Sequence, residues 1–252
     1  MRGKERHSLL LHALGAGEVD VVRLARRFRV SASTIRRDLQ RLSSAKAVRR
    51  TYGGAMLAHA QAETSLDQRQ LVNGAQKNAI ARAALDLLED GDALILDAGS
   101  TVAAFARLLK GRRHHLITNN LPLVAILADA PALELSVLGG SLRVTSMSTV
   151  GPLAIDAMRR MTADKVFMSA DGLVAGRGLC EASLDQAALK STMMEQAREV
   201  IVLADSSKIA RSSQSAWARL PATWTLVTDR RATAAQCAKF EAAGARVIRA
   251  SD

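Results

Sequence analysis

The sequence predicts two folded parts: a winged helix-turn-helix over residues 1–57 and a larger α/β domain over residues 67–252, joined by a linker at 58–66. Three observations carry this reading. Two short amphipathic helical runs flank a tight turn near the start, most of the net charge sits on that segment, and seven short apolar runs alternate with helical segments through the remainder. The chain has 252 residues, 48% of them hydrophobic, far more apolar material than a small helical motif can bury, so a second core is required.

The first helical run, Val21 to Phe28, sets Val21, Leu24, Ala25 and Phe28 on its inner side, and Arg29 and Val30 make the turn. Ser31 is an N-cap for the next run, in which Ile35, Leu39 and Leu42 recur at i, i+4 and i+7. The small Ala25 lets the two helices cross closely. Ser33, Thr34, Arg36, Arg37 and Gln40 then face outward with Ser31 at the helix start. Arginine forks onto guanine, glutamine onto adenine, and hydroxyls donate to phosphates, so this face suits a DNA groove. Downstream, Ala45 to Ala55 reads as a small β wing closing on Gly53 and Gly54, with Arg49, Arg50 and Tyr52 placed to hold the DNA backbone or probe the minor groove.

Charge decides between this reading and a pair of ordinary core helices. Residues 1–60 hold 13 Lys and Arg against 4 Asp and Glu, a net of +9 out of a total of +11. Basicity confined to one motif favours nucleic acid over anionic membranes or acidic proteins. Aromatic residues are sparse there, which favours double-stranded DNA over the stacked bases of single strands and RNA.

The opening segment resembles the DNA-binding domain of the DeoR family of bacterial transcriptional regulators, through Val30-Ser31, Thr34-Ile35-Arg36-Arg37-Asp38-Leu39 and Gly53-Gly54-Ala55. One departure is Ala45-Lys46-Ala47, where the family usually has a glycine.

Residues 57–66 (LAHAQAETSL) are small and polar and read as the linker. Asp67 to Glu89 reads as helical, with Leu71, Ile80, Ala84, Leu87 and Leu88 mostly on one side. Buried strands are expected at Ala93–Leu96, His115–Thr118, Leu133–Leu138, Lys165–Ser169, Val200–Leu203, Leu226–Thr228 and Val247–Arg249, with helices starting near Thr101, Pro122, Pro152, Ser183 and Ala232. That rhythm predicts a mainly parallel sheet.

Ligands in open α/β sheets sit beyond the carboxyl ends of strands. Asp97-Ala98-Gly99-Ser100-Thr101 leads straight into a helix, and backbone N–H groups, hydroxyls and a glycine there form a phosphate cradle, although Ser100 and Thr101 also suit a plain cap. Thr118-Asn119-Asn120, Gly139-Gly140, Asp171-Gly172 and Asp205-Ser206-Ser207-Lys208 end other strands on the same expected face. Asp97, Asn119 and Asp171 offer partners for hydroxyls and Lys208 a charge for a phosphate. Arg143, Glu181 and Lys190 read as solvated.

The second part also resembles the DeoR family from about Arg69 to Asp229, through Arg69, Asn73, Lys77, Gly91-Asp92, Asp97, Gly99-Ser100-Thr101, Thr118-Asn119, Gly139-Gly140, Gly151, Asp164, Asp171-Gly172 and Asp205, Ser207-Lys208. The resemblance implies a sensor domain with a ribose-5-phosphate isomerase-like fold. It also implies a phosphate held by Gly99 to Thr101, with Asp97, Asn119, Asp171 and Lys208 lining an effector pocket for a phosphorylated sugar.

An isomerase is the rival reading, with Asp97 or Asp171 as the base. The isomerases this domain resembles carry a second acid soon after the Asp-Gly pair, whereas Asp171-Gly172 continues as Leu173-Val174-Ala175-Gly176, so a pocket that binds without turnover is expected. A purely architectural DNA protein needs no such pocket. No catalytic residue, metal or cofactor is expected. Operator DNA and a homodimer or homotetramer are, because one short recognition helix makes few contacts. Residues 1–17 imitate a signal peptide, but His12 interrupts the apolar run; no run is long enough to span a membrane, and Cys180 and Cys237 form no disulfide framework, so a cytoplasmic location is expected.

Overall fold

The computed structural model describes residues 6, 7, 9, 10, 19–44, 48–51, 54–57 and 64–251. In the first part, strand β1 (Val19–Asp20) leads into helix α1 (Val21–Phe28) and, after the turn, α2 (Ala32–Ser44). Asp20 caps α1 by accepting from the N–H groups of Val22 and Arg23 at 2.8 and 3.0 Å. Arg29 closes it in a left-handed conformation (φ 53°), its N–H returning to the carbonyls of Ala25 and Arg26. The expected inner faces pack into one core of Val21, Leu24, Ala25, Ile35, Leu39 and Leu42, joined by Leu10. The wing is a hairpin of β2 (Val48–Thr51) and β3 (Gly54–Leu57), extended by β1 against β3. Tyr52, Gly53 and Ala45 to Ala47 lie outside the described residues.

The larger part opens on α3 (Leu66–Leu71) and α4 (Gly74–Leu85), where one helix was expected. Helix α3 starts at Leu66, inside the expected linker, under a capping box between Ser65 and Gln68. The split arises because Val72 is extended and Asn73 left-handed (φ 56°). Ile80 and Ala84 are buried as expected, but Leu71 is 86% exposed. Residues 58–63 lie outside the described residues.

Then follow β4 (Ala93–Leu96), α5 (Ser100–Arg107), β5 (His114–Thr118), α6 (Pro122–Ile126), β6 (Leu133–Val137), the hairpin β7 (Ser141–Arg143) and β8 (Ser148–Val150), and α7 (Pro152–Met158). The rest is β9 (Ala163–Met168), β10 (Gly172–Val174), β11 (Gly178–Glu181), α8 (Leu184–Glu195), β12 (Ala197–Leu203), β13 (Ala216–Ala218), β14 (Trp224–Asp229), α9 (Ala234–Glu241) and β15 (Ala245–Ala250). Seven strands form one sheet in the order β15-β14-β12-β9-β4-β5-β6, parallel at every pairing. All seven expected strands belong to it.

Successive residues of the central strands feed opposite faces. Ile95, Val166, Met168 and Val202 enter one core, while Leu94, Leu96, Phe167 and Ile201 enter the other, where Phe105 and Phe167 stack at 4.3 Å. The sequence reading did not anticipate the β7–β8 hairpin or the antiparallel sheet β10-β11-β13. Both are built from strands of three or four residues, too short to show alternation.

Candidate functional site

On α2, Ser31, Ser33, Arg36, Arg37 and Gln40 are exposed and Thr34 is half-buried, on the face opposite Ile35 and Leu39. Ser31 Oγ accepts from the Thr34 N–H at 3.1 Å and shares hydroxyl hydrogen bonds of 2.8 Å with Ser33 and Thr34, so the cap is also a small polar cluster. Backbone pairing puts Arg49 and Arg50 on the wing strand β2. Asp38 stands in the sequence only as a position of the family resemblance, with no role assigned to it. Buried at 2% exposure, it accepts from Arg6 Nε at 2.5 Å and contacts His7 Nε2 at 3.1 Å. Burial alone pushes its carboxyl up, but the hydrogen bonds from Arg6 and His7 outweigh that and hold it below the usual range. It docks the recognition helix rather than facing outward.

At the carboxyl end of the parallel sheet, a cleft of about 110 Å³ gathers Gly99, Ser100, Thr101 and Lys208, four of the expected residues. Gly99 enters α5 at φ 151°, and a Cβ there would lie 2.0 Å from Ser169 Oγ, so only glycine fits. The N-cap residue Gly99 has no side chain with which to cap α5, and the residues that open the helix, Ser100 and Thr101, line the cleft, which suits its first N–H groups to a ligand. Four cations line the same space: Arg69, Lys77, Lys208 and Arg211.

The α3–α4 break explains how two of them arrive. Lys77 Nζ donates to the carbonyl oxygens of Arg69 and, at 2.7 Å, Val72, tying the ammonium to the broken turn. Asn73 Nδ2 reaches Asp205 Oδ1 at 3.0 Å and Ser207 Oγ at 3.3 Å, joining the break to the loop that carries Lys208. Arg69 pairs with Asp171 at 3.2 Å. Burial lowers the pKa of both Lys77 and Lys208, and neighbouring cations lower them further, against the pull of Asp205 on Lys77 and of Asp171 and Asp205 on Lys208. Crowded, partly desolvated cations are relieved by a bound anion. Arg69, Asn73 and Lys77 were visible in the sequence only as family positions, and nothing in the local pattern marked them or Arg211 as pocket residues.

The remaining expected residues are placed elsewhere. Asp97 and Asn119 line a smaller adjoining chamber with Lys190. Thr118 Oγ1 is wholly buried and donates to the Leu96 carbonyl at 2.5 Å, bracing a strand end. Asp171 flanks the cleft through Arg69, while Gly172 permits close approach of the Arg211 backbone, whose oxygen would meet a Cβ at 2.0 Å. Gly140, at φ 136°, packs its α-carbon against the Val150 carbonyl where the β7–β8 hairpin begins, and neither it nor Gly139 borders the cleft.

Three residues read as solvated are not. Glu181 and Lys190 are 2% and 4% exposed. Lys190 Nζ donates to Asp97 Oδ2 and, at 2.5 Å, to the Ser169 carbonyl, and lies 3.3 Å from Glu181 Oε1. Burial pushes the Glu181 carboxyl up to about 8, against the pull of Lys190. Arg143 is half-buried and donates to Ser146 Oγ at 3.1 Å. Periodicity missed the pair because β11 is four residues long and buried throughout, and its acid meets a lysine on the inner face of α8.

Among the described residues, no helix is long and apolar enough to cross a membrane. Residues 6–61 match the family model described as the DeoR-like helix-turn-helix domain, and residues 72–230 that of the DeoR C terminal sensor domain. The chain is 32% identical over 231 residues to the HTH-type transcriptional repressor CsqR of Escherichia coli, covering 91% of this chain and 88% of that one. It is 36% identical to the transcriptional repressor AccR of Agrobacterium fabrum, over 82% of this chain and 81% of that one. Among solved structures, ribose 5-phosphate isomerase A of Methanocaldococcus jannaschii aligns with 54% of each chain at 21% identity and a TM-score of 0.40.

Proposed function

The chain belongs to the DeoR family and is a DNA-binding transcriptional repressor, and from that premise we propose that a phosphorylated sugar or related metabolite in the Gly99–Lys208 cleft governs its hold on operator DNA. The observation that supports this is the convergence of Arg69, Lys77, Lys208 and Arg211 on the open start of α5. Backbone N–H groups at a helix start and several cations together form a site for a phosphate. On the DNA side, Arg36, Arg37 and Gln40 read base edges or phosphates, and the wing holds the flanking backbone.

Two copies or more act together, because paired recognition helices one helical turn apart double the contacts that one short helix makes. The ligand then shifts the balance between DNA-competent and released arrangements by its difference in affinity for the two. The genes controlled are those of a carbohydrate catabolic operon. The relatives above are repressors, and the chain is a regulator and not an enzyme. Consistent with this, both carboxylates that could serve an isomerase as base are engaged: Asp97 with Lys190 and the Ser169 N–H at 3.2 Å, and Asp171 with Arg69 at 3.2 Å.

Thermal unfolding against a panel of sugar phosphates, sugar alcohol phosphates and inorganic phosphate tests the cleft, because selective binding raises the midpoint by mass action. Ser100→Asp, which places negative charge at the start of α5, is expected to abolish the shift while preserving the folded state. A wild-type shift in that variant contradicts the assignment.

A further inference from the structure

Among the described residues, twelve large apolar side chains are exposed, and four of them, Leu142, Val144, Met147 and Leu153, fall between residues 142 and 153. They stand on the β7–β8 hairpin, on its turn and on the first turn of α7. A Cβ on Gly140, at the base of the hairpin, would lie 3.3 Å from that of Ala154, so the hairpin and α7 form one surface. Leu184 flanks it, two residues before Gln186, which lines the same small chamber as Ser148 of β8. Val144, Leu153 and Leu184 are 71%, 71% and 78% exposed, and Leu142 is 54% exposed. The five leave on the order of 500 Å² of apolar surface in water, at the upper end for a monomer and more than half of the about 800 Å² that each partner gives to a stable interface.

A fixed backbone holds these side chains out. Asn119 and Thr149 exchange two hydrogen bonds of 3.0 Å, and the Leu121 N–H donates to the Met147 carbonyl at 3.1 Å. Met147 is itself left-handed, at φ 47°, a costly conformation that persists only where its surroundings impose it. A preformed surface loses little freedom on binding. Its charge says what it meets. Residues 137–155 contain one charged side chain, the half-buried Arg143, in a chain that is 23% charged. Depletion of charge marks the centre of a protein interface and ill suits DNA. The cationic DNA-binding part of the same chain finds no acid there to meet its net +9. A two-fold contact sets each residue type against a copy of the same surface, so a patch almost free of charge suits self-apposition, where like charges would repel. We infer that the β7–β8 hairpin and the start of α7 form the surface through which two copies of this chain pair. This rests on the reading that paired copies bind the operator.

The test is sedimentation equilibrium of the full chain, wild type and the Val144→Glu/Leu153→Glu double variant, with circular dichroism to confirm folding. The wild type is expected at twice the chain mass or a multiple of it. The double variant is expected to associate at least tenfold more weakly, because a two-fold interface brings each new carboxylate in twice. Should that variant fail to fold, a short thiol cross-linker carries the comparison. Cys180 and Cys237 are buried, so it reports on Val144→Cys or Leu153→Cys, with Ala235→Cys on the exposed side of α9 as control. Covalent dimers are expected from the two hairpin-side positions and not from the control. If the wild type associates but the folded double variant does so equally, or the control cross-links as well as the other two, the copies meet elsewhere. This inference is then overturned while the reading of paired copies stands. A wild type that stays monomeric overturns both.

Discussion

Gly99 shows how a single residue can be legible for one reason and required for another. From the sequence, its value is the close approach it gives a ligand; in the structure, Ser169 Oγ occupies the space where a Cβ would stand, so the glycine also holds the wall between cleft and chamber. Arg36 and Arg37 were legible because helix periodicity fixes which side chains face out once Ile35 and Leu39 face in. Replacing either with alanine is expected to weaken operator binding. A base-reading arginine costs about 1–3 kcal/mol and relaxes preference at one position, whereas a phosphate contact chiefly reduces the salt slope. Operator titrations at several salt concentrations distinguish these, and unchanged affinity in both single variants and the double variant removes this face from the interface. Asp38 and the Glu181–Lys190 pair were not legible, because a charged side chain reads as solvated until its partner is known. Arg6 lies 32 residues from Asp38 and Asp97 lies 93 from Lys190, while Glu181 and Lys190 stand on a strand and a helix whose facing sides only the fold reveals.

At the scale of elements, the long apolar strands and their order along the chain were readable, since each buries residues on both faces of a parallel sheet. The break between α3 and α4 was not. Asn73 has a modest preference for left-handed backbone, but Lys77 reaching back to the Val72 carbonyl and Asn73 reaching Asp205 are tertiary facts. The break brings Arg69 and Lys77 onto the cleft, so its geometry and its hydrogen bonds both matter. Asn73→Ala forces an unfavourable left-handed alanine and loses both contacts, and is expected to destabilise the fold by about 1–2 kcal/mol as well as weaken phosphate binding. Asn73→Gly relieves the backbone cost and is expected to recover most of that stability without restoring ligand affinity. Chemical denaturation paired with phosphate titration separates the two effects; equal ligand affinity in wild type and the glycine variant means that Asn73 serves the backbone alone.

For the whole molecule, charge and chemistry are divided between the parts. A net of +9 lies in the first 60 residues, while the remainder, with +2, sets four of its 22 Lys and Arg around one cleft. Under the proposed function this division lets DNA contact and metabolite control be altered independently, and the charge asymmetry was the most legible feature of the sequence because it needs only composition and position. The cleft lining was partly legible, since the loop at Gly99–Thr101 and Lys208 follow strands, whereas Arg69, Lys77 and Arg211 reach it from a helix break and a loop that no periodic pattern marks. The central claim is that the cleft controls the DNA-binding part without belonging to it. The most direct measurement titrates the tightest-binding metabolite of the phosphate panel into operator complexes of the wild type and of Lys208→Ala, following the DNA by fluorescence anisotropy. The account predicts that both proteins bind operator equally without ligand, and that the wild type changes its affinity on titration while the variant does not. A wild-type response in Lys208→Ala at the same concentrations, or loss of operator binding by a folded variant before any ligand is added, would contradict it.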